Sequence, residues 1–209
     1  FSTFLLIKIF VILAKNILAL NRTESTSYQI IGRIYSLMKN HRKAIFNFKR
    51  AIELNPECNL NYIFIAQSYT CIEKNEEAIS FLKEGIKIVS NDPLMFYNLG
   101  IIYQNIKNLD QAELNFQKAI QLKPYFPDAL NNLGNVYHKK MNYDSSSYYL
   151  KRSINQNNRS SMAYHNLANT QRSMGMYKKA VFHYKKALEI TPAQIESINA
   201  LGLTYYELF

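Results

Sequence analysis

Residues 126–137 read FPDALNNLGNVY, and their meaning comes from what stands 34 residues to either side. One step back is DPLMFYNLGIIY at 92–103, and one step forward is SSMAYHNLANTQ at 160–171. Placing position 1 at Ser25, Asn59, Pro93, Pro127, Ser161 and Ile195 keeps this register without a slip as far as Phe209. All 6 glycines and all 5 prolines then fall on repeat positions 1, 8, 15, 27 or 32. A chain punctuated on one ruler is a stack of like units, each burying its apolar face on its neighbours.

The side chains on that ruler have one physical theme. Position 8 holds Gly32, Gly100, Gly134 and Gly202, with Ala66 and Ala168 in the remaining repeats, so only a tiny side chain fits there. Position 11 holds Tyr35, Tyr69, Tyr103, Tyr137 and Tyr205. Alanine recurs at position 20 (Ala44, Ala78, Ala112, Ala180) and at position 27 (Ala51, Ala119, Ala187), and Pro56, Pro124 and Pro192 stand at position 32. Small residues at 8, 20 and 27, an aromatic at 11 and a late proline, on a 34-residue period, resemble the tetratricopeptide repeat (TPR). The resemblance implies an all-α fold, a right-handed superhelical solenoid of antiparallel helix pairs. Its repeats are 25–58, 59–92, 93–126, 127–160, 161–194 and a partial 195–209. The missing initiator methionine and the stop at position 15 of the sixth repeat read as a fragment.

Each repeat carries apolar residues near i, i+3, i+4 and i+7 in two stretches, which predicts two amphipathic helices. In the third repeat Phe96, Leu99, Gly100 and Tyr103 make one stripe, and Ala112, Phe116 and Ala119 the other. Asp92 before Pro93 predicts a capped helix start with proline in the first turn, where its missing N–H costs nothing. Asp128 after Pro127 places an acid at the positive end of the next helix. Departures from the pattern mark the expected soft places. They are Leu82, Gly85 and Ser90 in the second repeat, Ser146, Leu150, Ser153 and Asn158 in the fourth, and Gln171 in the fifth.

Residues 1–24 carry an apolar run from Phe4 to Leu20 interrupted by Lys8 and Lys15. A charge at the centre of a span costs about 2.5–3.5 kcal/mol, which disfavours a membrane helix. One period back, Ala14–Asn21 aligns with Phe48–Asn55, so a degenerate second helix of an earlier repeat is the preferred reading. A membrane span through residues 4–20 and a signal remnant remain the alternatives.

The net charge of +10 raises nucleic acid or an acidic partner. Its carriers include Arg42, Lys43, Lys49, Arg50, Lys151, Arg152, Lys178, Lys179, Lys185 and Lys186. These lie on second helices, the outer wall in the TPR resemblance, so a solvated outer face is expected and nucleic acid is disfavoured. Cys58 and Cys71 have no CxxC spacing, which points to a reducing, cytoplasmic setting and to no metal site. No phosphate-binding glycine loop exists, no serine sits in a nucleophile elbow, and His41, His138, His165 and His183 are scattered. No catalytic residue, cofactor or metal is therefore expected.

The resemblance implies that positions 2, 5, 6 and 9 of the first helices face a concave groove. Ile30, Leu60, Ile63, Phe64, Leu94 and Tyr97 would make its early part apolar. Asn98, Asn132 and Asn166 occupy position 6 in successive repeats, flanked by Asn131, Asn135, His165 and Asn169. A carboxamide offers both donor and acceptor, so such a row can hold an extended peptide by its main chain. It resembles the asparagine ladder in the TPR region of protein O-GlcNAc transferase. The carboxylate clamp of chaperone-binding TPR domains is incomplete: Asn135 and Asn166 match, but Asn131, Glu196 and Ala200 stand where basic residues belong. The expected function is a scaffold for a partner protein or peptide. The alternatives are a substrate-recruiting array of a larger enzyme such as a protein glycosyltransferase, and a membrane-anchored array.

Overall fold

The computed structural model describes residues 24–208 together with Ile9, Ile12, Leu13 and Asn16. The readings offered for residues 1–24 therefore concern residues almost wholly outside the description. Among the described residues no helix is long and apolar enough to cross a membrane.

Eleven helices and no strand make up the described chain. The first helices of the repeats are α1 (Ser25–Leu37), α3 (Asn59–Cys71), α5 (Pro93–Asn105), α7 (Pro127–Lys139), α9 (Ser161–Ser173) and α11 (Ile195–Leu208). The second helices are α2 (His41–Leu54), α4 (Asn75–Ile88), α6 (Leu109–Leu122), α8 (Tyr143–Gln156) and α10 (Tyr177–Ile190). Two compact units divide at Ile102 and Tyr103. In the first, α1 packs on α2, α2 on α3, and α3 on α4, with α1 and α3 side by side. In the second, each helix from α6 to α11 packs on the next, and α7, α9 and α11 lie side by side as one layer of first helices.

Local chemistry sets the boundaries. Asp92 caps α5 through Oδ1, which accepts from the backbone N–H of Leu94 at 2.8 Å and of Met95 at 2.9 Å. Its other oxygen accepts from Asn59, so the same carboxylate ties the start of α3 to the start of α5. Asn40, Asn108 and Asn142, all at position 16, cap α2, α6 and α8 in the same way. The turn before each second helix needs one left-handed residue. Lys39, Glu73, Lys107, Met141 and Gly175 supply it with φ of 57, 61, 63, 60 and 72°. Only one of the five is glycine, and the other four hold a conformation that costs an L residue free energy.

The close crossings behind the glycine rule are visible in both units. A Cβ at Gly32 would stand 2.5 Å from the Phe48 ring, and one at Gly134 would stand 2.6 Å from Leu150 Cγ. Phe48 and Leu150 are fully buried there, one on each unit's second helices. Gly202 differs: nothing lies within 4 Å of its Cβ position, and Leu203 and Tyr206 beside it are exposed.

Three expected soft spots need correction. Gly85 is not a flaw in α4, because the Tyr62 ring lies 2.7 Å from its Cβ position; the missing side chain is what admits a fully buried tyrosine. In the fourth repeat, Ser146 and Ser153 are buried but satisfied. Ser146 Oγ lies 2.9 Å from Thr170 Oγ1, and Ser153 Oγ donates to Pro127 O at 2.8 Å. Gln171 too is buried, its Oε1 2.8 Å from His183 Nδ1. Hydroxyl and amide groups thus replace methyl contacts with hydrogen bonds and leave these layers closed.

Candidate functional site

In each unit the first helices carry the groove asparagines singled out in the sequence. His138 and His165 lie on those of the second unit, while His41 and His183 lie on second helices. Hydrogen bonds between successive first helices run within each unit. In the first unit, Gln29 Nε2 on α1 donates to Asn61 Oδ1 on α3 at 3.0 Å, and Gln67 Nε2 on α3 donates to Asn98 Oδ1 on α5 at 3.2 Å. In the second unit, Asn166 Nδ2 on α9 donates to Asn131 Oδ1 on α7 at 3.0 Å, and His165 Nδ1 lies 2.8 Å from Ser197 Oγ on α11. These rungs link neighbouring first helices, so part of the polar wall is committed to holding the repeats together.

That commitment differs from residue to residue. Asn98 gives its N–H to its own helix, donating from Nδ2 to Leu94 O at 2.8 Å. His165 is buried with both ring nitrogens engaged. Asn169 Nδ2 donates to Nε2 at 2.9 Å, so Nδ1 carries the proton and the imidazole is neutral. Asn169 in turn accepts from the Tyr184 hydroxyl at 2.5 Å through Oδ1. His165 and Asn169 thus belong to a closed network with Ser197 and Tyr184. Asn131 and Asn132 touch through a long 3.4 Å contact, and Asn131, Asn132, Asn135 and Asn166 are all half-buried. Asn135 has no hydrogen-bond partner among the described residues.

Electrostatics set the protonation of this unit. Burial holds His138, His165 and His183 below the ordinary histidine range; the neighbouring Arg172 pushes His138 and His165 further down, while Glu196 opposes it at His165. A depressed histidine stabilises the fold fully above its unfolded-state value of 6.5, and the contribution is lost as pH falls towards the folded-state value. Thermal melts should therefore show the second unit losing stability as pH drops below about 6.5. His165→Gln should flatten part of that slope, and a melting profile level from pH 7 to pH 5 would contradict the assignment.

Arg33, Leu37 and Gln67, which sequence reasoning passed over, shape the first unit together with Phe64 and Cys71. A cavity of about 320 Å³ opens between α1 and α3, lined by Arg33, Leu37, His41, Phe64, Gln67 and Cys71 among others. A second, of about 360 Å³, lies between α3 and α5 and includes Gln67, Cys71, Asn98, Ile101 and Ile102. The two share Gln67 and Cys71 as a common wall. Arg33 stacks over the Phe64 ring at 5.8 Å. Ile63, expected to face the groove, is buried instead. Positions 9 and 13 in adjacent repeats were the available signal: Arg33 and Gln67 at one, Leu37 and Cys71 at the other.

Family models described as tetratricopeptide repeat match residues 25–58, 93–126 and 125–193, which together are well over half of the chain. The chain belongs to the tetratricopeptide repeat family. Among solved structures, the TPR protein YrrB, described as having an unusual peptide-binding site, is similar at 18% identity and a TM-score of 0.66. That match covers 90% of this chain and 96% of that one. MamA is similar at 24% identity, with a TM-score of 0.68 and coverage of 82% and 94%. Yeast Tom70 reaches a TM-score of 0.77 at 18% identity, where 91% of this chain covers 41% of that one. At these identities the likeness is one of fold. No curated protein matches the sequence. TPR proteins are scaffolds for protein interaction, and among the described residues no group of three or more histidine, cysteine or acidic side chains is placed to hold a metal ion.

Proposed function

We propose that this TPR array binds extended peptide segments of a partner protein along the first helices of each unit, by a different chemistry in each. In the first unit the adjoining cavities, one repeat apart, accept apolar side chains, and Gln67 between them meets the main chain. In the second unit the half-buried carboxamides of Asn131, Asn132, Asn135 and Asn166 offer donors and acceptors to a peptide backbone. The paired cavities are the observation that carries the reading. The likeness to YrrB, with its peptide-binding site, supports it. A reducing, cytoplasmic setting fits the free thiols Cys58 and Cys71.

Each lost peptide hydrogen bond should weaken binding by about 0.5–1.5 kcal/mol. Asn135→Ala should therefore weaken capture from a random-peptide display library by up to about tenfold with no change in melting temperature. Asn131→Ala should lower affinity and also stability, because it removes the rung to Asn166. Filling the first cavity by Cys71→Phe should select different apolar side chains from the library. Equal capture and identical selected sequences for the wild type and all three variants would sink the proposal.

A further inference from the structure

The second-helix side of the second unit carries a site of its own. A cavity of about 710 Å³ lies between α8 and α10, within the roughly 300–1,000 Å³ usual for ligand sites. Its lining includes Met174 from the end of α9, Met176 from the start of α10 and Tyr148 from α8. Lys151 and Arg152 approach it from α8 and Lys179 from α10, against Asp144 as the one carboxylate of the lining.

These cations differ from others in the same unit. Lys140 is paired with Asp110 and Glu113, Lys186 with Glu189, and Arg172 lies 3.9 Å from Glu207. Lys151, Arg152 and Lys179 have no ion-pair partner among the described residues, and Arg152 instead rests over the rings of Tyr148 and Tyr149 at 5.5 and 5.8 Å. The first turn of α10 also lacks the asparagine cap that α6 and α8 carry, leaving its positive end uncapped beside the cavity. Three unneutralised cations around one concavity repel each other, and an anionic partner relieves that repulsion. The methionine and tyrosine side chains of the lining favour apolar side chains, which an acidic peptide carries and a phosphodiester strand does not.

We propose that this cavity is a second docking site, specific for an acidic peptide segment in which an apolar side chain lies between carboxylates. The carboxylates meet Lys151, Arg152 and Lys179, and the apolar side chain rests on Met174 and Met176. None of its lining side chains is among the carboxamides proposed to hold a peptide on the first helices, so its partner contact is separate from that one.

The test is fluorescence anisotropy on the full chain with a labelled peptide of alternating glutamate and leucine. A lysine–leucine peptide and a single-stranded oligodeoxythymidine serve as the competing probes. The acidic peptide should bind, and Lys151→Glu with Lys179→Glu should weaken it by tenfold or more without altering the circular dichroism melt, since both side chains are exposed. The milder pair Lys151→Gln and Lys179→Gln should fall in between, while Asn135→Ala on the inner wall should leave this binding unchanged. A loss of less than threefold on charge reversal would overturn the proposal, as would equal binding of the lysine–leucine peptide. Tighter binding of the oligodeoxythymidine, lost with the same substitutions, would assign the surface to nucleic acid instead and equally overturn it.

Discussion

Phe48→Ala should cost about 3–5 kcal/mol, the range for deleting a buried aromatic ring. The ring is fully buried, packs with Ala44, Ile45 and Ile65, and lies 5.2 Å from the Phe64 ring. It also fills the space above Gly32, so its loss leaves a void bordered by a backbone that cannot move in to close it. Urea denaturation followed by circular dichroism measures the loss, and hydrogen exchange should locate it in α1 to α3. The partner experiment is specific. Gly32→Ala should be destabilising in the wild type, where its Cβ would stand 2.5 Å from the ring, and should be tolerated in the Phe48→Ala background. A double-mutant cycle that shows no coupling between the two positions would mean that the ring and the glycine do not share one crossing.

Gly134→Leu should be nearly as damaging. Even the first carbon of the new side chain meets Leu150 Cγ at 2.6 Å and the backbone oxygen of Ser146 at 3.3 Å. Overpacking of this kind costs about 1–3 kcal/mol, and a whole isobutyl group placed against backbone belongs at the upper end. Gly202 is the internal control, since it stands at the same repeat position with nothing within 4 Å. Gly202→Ala should stabilise by up to about 1 kcal/mol through helix propensity alone. Opposite signs at one repeat position would show that packing, and no backbone requirement of the repeat, keeps glycine at 134. Matching melting temperatures for the two variants would refute that.

The helix order was legible because it rests on residues whose backbone effect is local. Pro93 and Pro127 can begin a helix, Asp92 can cap one, and glycine at position 8 marks a close crossing at Gly32 and Gly134. Gly85 was misjudged for a reason of the same kind. A glycine inside a helix reads as a weakness until the facing residue is known, and that residue, Tyr62, sits in the preceding helix one turn into its own register. The buried serines of the fourth repeat were misread likewise, since a hydroxyl is costly or harmless according to a partner that lies 24 residues away for Ser146 and 26 for Ser153.

The candidate site divides along the same line. Repeat spacing alone placed Asn98 on a first helix of the first unit and Asn131, Asn132, Asn135, His165, Asn166 and Asn169 on first helices of the second, because a strict period returns each position to the same helix face. Which of them retain free hydrogen-bonding groups was decided only by tertiary structure. His165 and Asn169 are consumed by Ser197 and Tyr184, Asn98 by Leu94 and Gln67, and Asn166 is tied to Asn131, while Asn135 stays open. The sequence determined the repeat, the helices and the wall, since these follow from side-chain size and backbone preference at each position. The tertiary structure decided the cavities, the bonds between repeats and the protonation of the buried histidines, since each depends on the distance and direction between side chains that belong to different repeats.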